Sequence, residues 1–65
     1  MLEITNRQKF PVQLVVRSKK APRAFTTLNI PGLGKGNNVA LIEDERYTEY
    51  IDRVENMGLI SVQRV

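Results

Sequence analysis

The stretch DERYTEYIDRVENMGL, residues 44–59, decides the fold because it carries the clearest helical repeat of apolar side chains in the chain. Its apolar and aromatic side chains fall at i, i+3, i+4, i+7 and i+10, positions that share one face of an α-helix. They are Tyr47, Tyr50, Ile51, Val54 and Met57. The spacing predicts one amphipathic helix over about residues 44–57, with this face packed on a sheet.

Both ends of the predicted helix carry their own signals. Asp44 is a suitable N-cap, because its side-chain oxygen can accept a hydrogen bond from a backbone N–H of the first turn. Gly58 suits the left-handed position that follows a helix. Leu59 would then contact Val54, the apolar contact that accompanies a Schellman ending. We therefore expect the helix to end just before Gly58.

Segments rich in β-branched residues lie on both sides of the helix and favour β-strands. The predicted strands cover residues 2–5, 12–17, 25–30, 39–42 and 60–65. The expected fold is α+β: a small antiparallel or mixed β-sheet of 3–5 strands with one amphipathic helix packed on it. All of it belongs to a single domain, residues 1–65.

Two connections stand out by composition. Residues 18–24 are basic, contain Ala21-Pro22, and are typical of a solvated hairpin loop. Residues 31–38 hold three glycines and two asparagines, which tolerate positive φ, so they predict a flexible loop. The run GLGKG at residues 32–36 invites comparison with phosphate-binding loops, but it lacks the Ser or Thr and the helix that should follow the lysine. Anion binding by this loop is kept as a third alternative for the function.

The small size of the chain limits what it can do. Its 65 residues include neither cysteine nor histidine, so disulfides and the usual zinc sites are excluded. A core of this size rarely supplies more than about 3–5 kcal/mol, which makes oligomerisation an expectation. No apolar run approaches the roughly 20 residues that span a bilayer. We expect a chain that is made and folded in a cytoplasm and has no membrane partner.

The net charge of +3 is unevenly distributed along the chain. Residues 1–42 hold seven bases and one acid, whereas residues 43–65 hold six acids and three bases, which predicts a dipolar molecule. The residues expected to contact a partner are all basic. They are Arg17, Lys19, Lys20, Arg23 and Lys35. Phe25 follows this basic segment and is expected to be buried in the core.

Nothing in the sequence predicts catalysis, a cofactor or a metal. Without His or Cys, the chain offers none of the pairings of nucleophile and base that acyl or phosphoryl transfer needs. The acidic residues 43–45 lack the spacing of a calcium loop and are interpreted as a helix start that complements the helix dipole. We therefore expect a protein that is not an enzyme.

The second half of the chain resembles small accessory structural proteins encoded among the head and tail genes of tailed bacteriophages. The likeness covers roughly residues 28–62. It is carried by NIPG at 29–32, VALI at 39–42, YTEYIDR at 47–53 and GLI at 58–60. What the resemblance implies is a role in virion architecture, as a capsid decoration, a connector or a tail accessory. It implies no particular functional residue.

Two functions are therefore predicted. The first is a non-catalytic structural or assembly protein of the virion, present in multiple copies and docking onto itself and onto larger virion proteins. The alternative is a small basic nucleic-acid-binding or regulatory protein that uses the basic loop of residues 17–23.

Overall fold

Five β-strands, a 3-10 helix and an α-helix make up the computed structural model, which describes residues 1–21 and 23–65. The α+β class predicted from the sequence is confirmed. In chain order the elements are β1 (Leu2–Asn6), β2 (Val12–Arg17), β3 (Phe25–Ile30), β4 (Val39–Ile42), the 3-10 helix (Asp44–Arg46), α1 (Glu49–Asn56) and β5 (Ile60–Arg64). Neither helix in this described part has the length or hydropathy needed to cross a membrane.

The strands divide between two antiparallel sheets. β1 lies at the centre of a three-stranded sheet of order β4-β1-β5, so its two edges are both occupied. β2 and β3 form a separate hairpin, in which Val12 is opposite Ile30 and Arg17 is opposite Phe25. The predicted hairpin is confirmed; Pro22 of its loop lies outside the described residues. The core is enclosed between the two sheets and α1.

The core consists of aliphatic side chains that alternate along the strands. Leu2 and Ile4 of β1, with Leu14 and Val16 of β2, follow the period of two that places one face of a strand inward. The helix contributes Ile51 and Val54, which confirms two members of its predicted apolar face. The full set of buried apolar residues is Leu2, Ile4, Val12, Leu14, Val16, Ile30, Ile42, Ile51, Val54 and Ile60.

The predicted helix over residues 44–57 is wrong at its start. Tyr47 and Thr48 are extended, with ψ of 142° and 159°, and they separate the 3-10 helix from α1. Thr48, and not Asp44, is therefore the N-cap of the α-helix. Tyr50 and Met57 face solvent, contrary to the prediction, with 42% and 68% of their surface exposed, because α1 turns Ile51 and Val54 into the core.

Contacts with β2 explain why the helix is interrupted. The Thr48 hydroxyl donates a hydrogen bond to the carbonyl of Val15, and the Arg46 Nε donates one to the carbonyl of Arg17 at 2.9 Å. The extended segment thus runs beside β2 and satisfies two of its backbone acceptors. A continuous helix would leave both acceptors without these partners.

The end of the helix agrees with the sequence signal. Gly58 has a φ of 82°, and its N–H donates to the Glu55 carbonyl at 2.9 Å. The N–H of Leu59 donates to the Val54 carbonyl at 3.4 Å. This pair of hydrogen bonds defines a Schellman motif, so the predicted ending is confirmed.

A buried asparagine joins the two sheets. Asn6 at the end of β1 has no exposed surface, and its Nδ2 donates to the carbonyls of Phe10, Ile30 and Pro31 at 2.8–3.2 Å. Its Oδ1 accepts a hydrogen bond from the N–H of Gln8 at 2.9 Å. This single side chain therefore fixes the loop after β1 against the end of β3.

Gly32 permits the closest approach at this junction. A Cβ on Gly32 would lie 2.3 Å from the Lys9 carbonyl oxygen, so any side chain would collide with backbone. Gly34 and Gly36 follow with φ of 76° and 145°, as expected for a loop that needs positive φ. The glycine-rich segment thus forms a turn at Gly34 and Gly36 and a close backbone contact between Gly32 and Lys9.

Candidate docking surface on the β2–β3 hairpin

The outward face of the hairpin carries apolar and aromatic groups. Residues opposite each other across an antiparallel pair share a face, so Val15 with Thr27 and Arg17 with Phe25 lie outside. Phe25 is 59% exposed and Val15 is 38% exposed. The expectation that Phe25 is buried is therefore wrong. The period of two from the buried Ile30 places Phe25 on the outer face.

Arg17 and Phe25 form a stacked pair on this face. The Arg17 guanidinium carbon is 5.3 Å from the centre of the Phe25 ring, which is a cation–π contact. Arg17 is half-buried, and its backbone carbonyl is held by Arg46. The pair thus presents an ordered, flat surface that combines positive charge with an aromatic ring.

A groove runs from this pair towards the start of α1. It has a volume of about 350 Å³ and is open to solvent. Its lining residues are Val15, Arg17, Phe25, Thr48, Glu49 and Tyr50. Thr48 of the extended segment, with Glu49 and Tyr50 of the first turn of α1, lines the side of the groove across from Phe25. The groove therefore depends on the same interruption that the sequence did not predict.

The predicted basic residues do not all come together. Lys19 forms an ion pair with Glu43, with 3.2 Å between Nζ and Oε1. Lys20 and Arg23 are exposed at the hairpin tip. Lys35 lies in the loop after β3, beside residues 8–10, and so at the far end of the hairpin from its tip. The structure therefore groups Arg17, Lys19, Lys20 and Arg23, and separates Lys35 from them.

Glu43 brings the acidic part of the chain against the basic hairpin. A hydrogen bond from its own backbone N–H, and then one from Lys19, hold the pKa of the Glu43 carboxyl below its ordinary value of 4.5. Arg46 lies 3.8 Å from the same carboxylate. At this place the basic and acidic parts of the sequence are not separated in space.

The other acidic residues also have partners of their own. Asp44 lies 3.2 Å from the N-terminal ammonium of Met1. The Tyr47 hydroxyl donates to the Asp52 carboxylate, and this hydrogen bond, followed by desolvation, raises the pKa of Tyr47. Across residues 1–21 and 23–65, no three carboxylates gather in a way that could hold a metal ion.

Apart from the edge of β3, each strand edge in the described residues has at least one outward backbone group bonded to a side chain. Thr48 and Arg46 cover the outer edge of β2, as described above. On β5 the Val62 N–H donates to Glu55 Oε2 at 3.1 Å, and on β4 the Val39 N–H donates to Asn37 Oδ1 at 3.1 Å. Such polar contacts on an edge discourage the addition of another strand.

The edge of β3 is open. Because the Val15 and Arg17 carbonyls point away from β3, the backbone groups of their partners Thr27 and Phe25 point away from β2. Asn29 follows the same alternation. In the part of the chain that the structure describes, no hydrogen bond reaches these three backbone positions from outside the strand.

Comparison of the chain with protein-family models, with curated proteins and with solved structures finds no match. The function must therefore be inferred from the residues themselves. Sequence reasoning identified the basic hairpin tip, but it missed the exposed Phe25, the groove and the open edge of β3. Strict alternation from Ile30 is the signal that could have identified Phe25 as exposed.

Proposed function

We propose that the protein is a non-catalytic structural or assembly protein that docks through the outward face of the β2–β3 hairpin. It acts in multiple copies, on larger proteins and on further copies of itself, as a virion component of a tailed bacteriophage. The site supports the docking part of this proposal. The resemblance of residues 28–62 to phage accessory proteins supports the virion part, whether capsid decoration, connector or tail accessory. A virion protein of this kind is made in the host cytoplasm.

The exposed side chain of Phe25 is the observation that most supports docking. An aromatic side chain buries about 150–250 Å² when it is covered, and interface hot spots are enriched in aromatic residues and Arg. Phe25 lies against Arg17 and faces a groove that also has Val15 and Tyr50 in its walls. This combination of an apolar centre with a charged rim is typical of protein interfaces.

The composition supports a non-catalytic role. The chain contains neither His nor Cys, and its groove is lined by one arginine, one glutamate, hydroxyl groups and apolar side chains. General acid–base catalysis most often uses His, which this groove does not contain. Binding through surface contact needs no such group.

Analysis of particles made by the encoding genome tests the proposal. Quantitative mass spectrometry of purified virions should find many copies of the chain, and its absence from particles would refute the virion role. Phe25→Ser should lower the affinity for the particle by about 2 kcal/mol, or roughly 30-fold in Kd. Phe10→Ser is the matched control, because Phe10 is 74% exposed but lies in the loop after β1, away from the groove.

Nucleic-acid binding by the hairpin is the second candidate, and the exposure of Phe25 favours it. Single-stranded nucleic acids bind to aromatic rings that stack on bases, next to cations that contact phosphates. Phe25 is available for stacking, and Lys20 and Arg23 are exposed nearby. This role requires the basic loop to meet phosphates and not a protein.

A salt titration with a single-stranded oligonucleotide separates the two candidates. Phosphate contacts predict a steep loss of affinity between about 50 and 200 mM salt. Neutralising Lys20 and Arg23 together should reduce that salt dependence and leave the circular dichroism spectrum unchanged. Undetectable binding at about 50 mM salt would eliminate the nucleic-acid role.

A further inference from the structure

Two strand edges in the described part of the chain lack both charge and proline, those of β4 and β3. β4 has only four residues, and its Val39 N–H is bonded to Asn37, whereas the edge of β3 is longer and open. Its sequence FTTLNI contains no charge and no proline, the two features that most often protect an edge from pairing. Its side chains are exposed apart from Leu28, which is half-buried, and Ile30, which is buried. It is therefore the edge best suited to accept another strand.

The backbone at this edge offers a regular set of hydrogen-bonding groups. Phe25, Thr27 and Asn29 each present one N–H and one C=O away from β2. An incoming extended segment would pair with these groups and continue the antiparallel hairpin into a three-stranded sheet. Its alternate side chains would lie beside Phe25 on the outer face and beside Leu28 on the inner face.

The charges around β3 identify the kind of segment that fits. Lys20 and Arg23 precede the strand, while Lys35 follows it and Lys9 packs against the residues that follow it. Both ends of the edge are therefore basic. The acidic residues Glu43 and Glu49 contact the hairpin from the side of β2, beyond the opposite edge.

This distribution disfavours a second copy as the occupant. Antiparallel pairing of β3 with β3 of another copy would place Lys20 and Arg23 of one copy beside Lys9 and Lys35 of the other. Like charges opposite each other in a sheet are destabilising. A segment with acidic ends would meet bases at both ends instead, whichever direction it runs.

We infer that the β3 edge binds an extended segment of a larger partner protein, with an uncharged β-branched centre and acidic residues at both ends, as an added strand. This inference depends on the proposed docking function and specifies its partner. The Phe25 and Arg17 pair then contacts side chains of the added strand, while the edge backbone supplies affinity that is independent of sequence.

Amide hydrogen exchange measured by NMR on the intact chain tests this directly. The probe is the peptide DEVTVTVTED, and its matched control is KKVTVTVTKK. The acidic peptide should slow exchange at the amides of Phe25, Thr27 and Asn29 at least tenfold. Thr26 and Leu28 should change little, because their N–H groups already bond to β2. The basic peptide should protect none of them.

Two variants add a second readout. Thr27→Lys places a charge on the edge strand and should abolish the protection, because edge lysines oppose pairing. Met57→Lys adds the same charge on the exposed side of α1 and should leave the protection unchanged. Circular dichroism checks that both variants are folded; if Thr27→Lys unfolds, the exchange pattern of the unmodified chain still decides.

Several outcomes would overturn the inference. The first is equal protection of the edge amides by the acidic and the basic peptide. The second is protection of the same amides by self-association, without any peptide. The third is that an oligonucleotide binds while the acidic peptide does not. Virion incorporation that depends on Phe25 without any edge protection by the peptide would overturn this inference alone and leave the proposed function intact. Absence of the chain from particles, with the edge still protected by the acidic peptide, would refute the virion role alone.

Discussion

Gly32→Ala tests the junction between the loop after β1 and the loop after β3. The new methyl carbon would lie 2.3 Å from the Lys9 carbonyl oxygen and 2.8 Å from the Phe10 nitrogen. Non-bonded contacts to carbon need about 3.5 Å, so the two loops must move apart by roughly 1 Å. That movement would break the 2.8 Å hydrogen bond from the Leu33 N–H to the Gln8 carbonyl.

The expected cost follows from these two effects. Overpacking costs about 1–3 kcal/mol and a lost hydrogen bond about 1 kcal/mol, so Gly32→Ala should lower the free energy of unfolding by about 2–4 kcal/mol. A small domain loses roughly 4–8 °C in Tm for each kcal/mol. The Tm should therefore fall by at least about 8 °C, and the loss of free energy is a large share of the stability of such a thin core.

Gly34→Ala is the control for this experiment. Gly34 has a φ of 76°, but nothing lies within 4 Å of its added Cβ. Only the left-handed backbone penalty of about 1 kcal/mol then applies. Thermal and urea denaturation followed by circular dichroism measure both variants. Equal losses would show that backbone conformation, and not the contact with Lys9, makes glycine necessary at position 32.

Three further predictions concern the core, the junction and the ion pair at the hairpin tip. Ile51→Asp should unfold the domain, because Ile51 is completely buried. Met57→Asp, on the exposed side, should change the free energy of unfolding by less than about 0.5 kcal/mol. Circular dichroism spectra that show both variants folded, or both unfolded, would contradict this prediction. Asn6→Ala leaves buried carbonyls without a donor and should cost about 1–3 kcal/mol, and an unchanged urea midpoint would exclude this role. The depressed pKa of Glu43 means that its stabilising contribution is present above pH 4.5 and is lost as the pH falls through the folded-state value. In a carboxyl NMR titration, Lys19→Gln should move that pKa upward towards 4.5, and no movement would assign the effect to the backbone N–H and Arg46.

Local sequence signals predicted most of the elements. The five strands, the hairpin, the buried Ile51 and Val54 and the Schellman ending at Gly58 all depend on residues that are close in sequence. Periodicity, β-branching and glycine placement report such local preferences directly. They are sufficient for the fold class.

The remaining features are set by contacts between distant residues. Tyr47 and Thr48 leave the helix because Thr48 and Arg46 bond to the carbonyls of β2, about 30 residues earlier in the chain. The division into two sheets follows from β1 occupying the centre of one of them. The groove beside Phe25 depends on the first of these features, because Thr48 forms part of its lining. Sequence periodicity carries no information about such contacts, so the docking surface became visible only in the structure.

The central place of β1 has a consequence for the order of folding. Leu2 pairs with Ile42 and with Arg64, so β1 needs β4 and β5, which are both synthesised after it, to complete its sheet. The hairpin of β2 and β3 closes over a short loop and can form early, whereas the three-stranded sheet must wait for β5. The long stretch of chain between β1 and β5 slows folding, because its ends must meet before the two strands can pair. During synthesis the open edge of β3 is therefore exposed before the core is complete, and the basic residues around it repel other nascent copies at the time when aggregation is the greatest hazard.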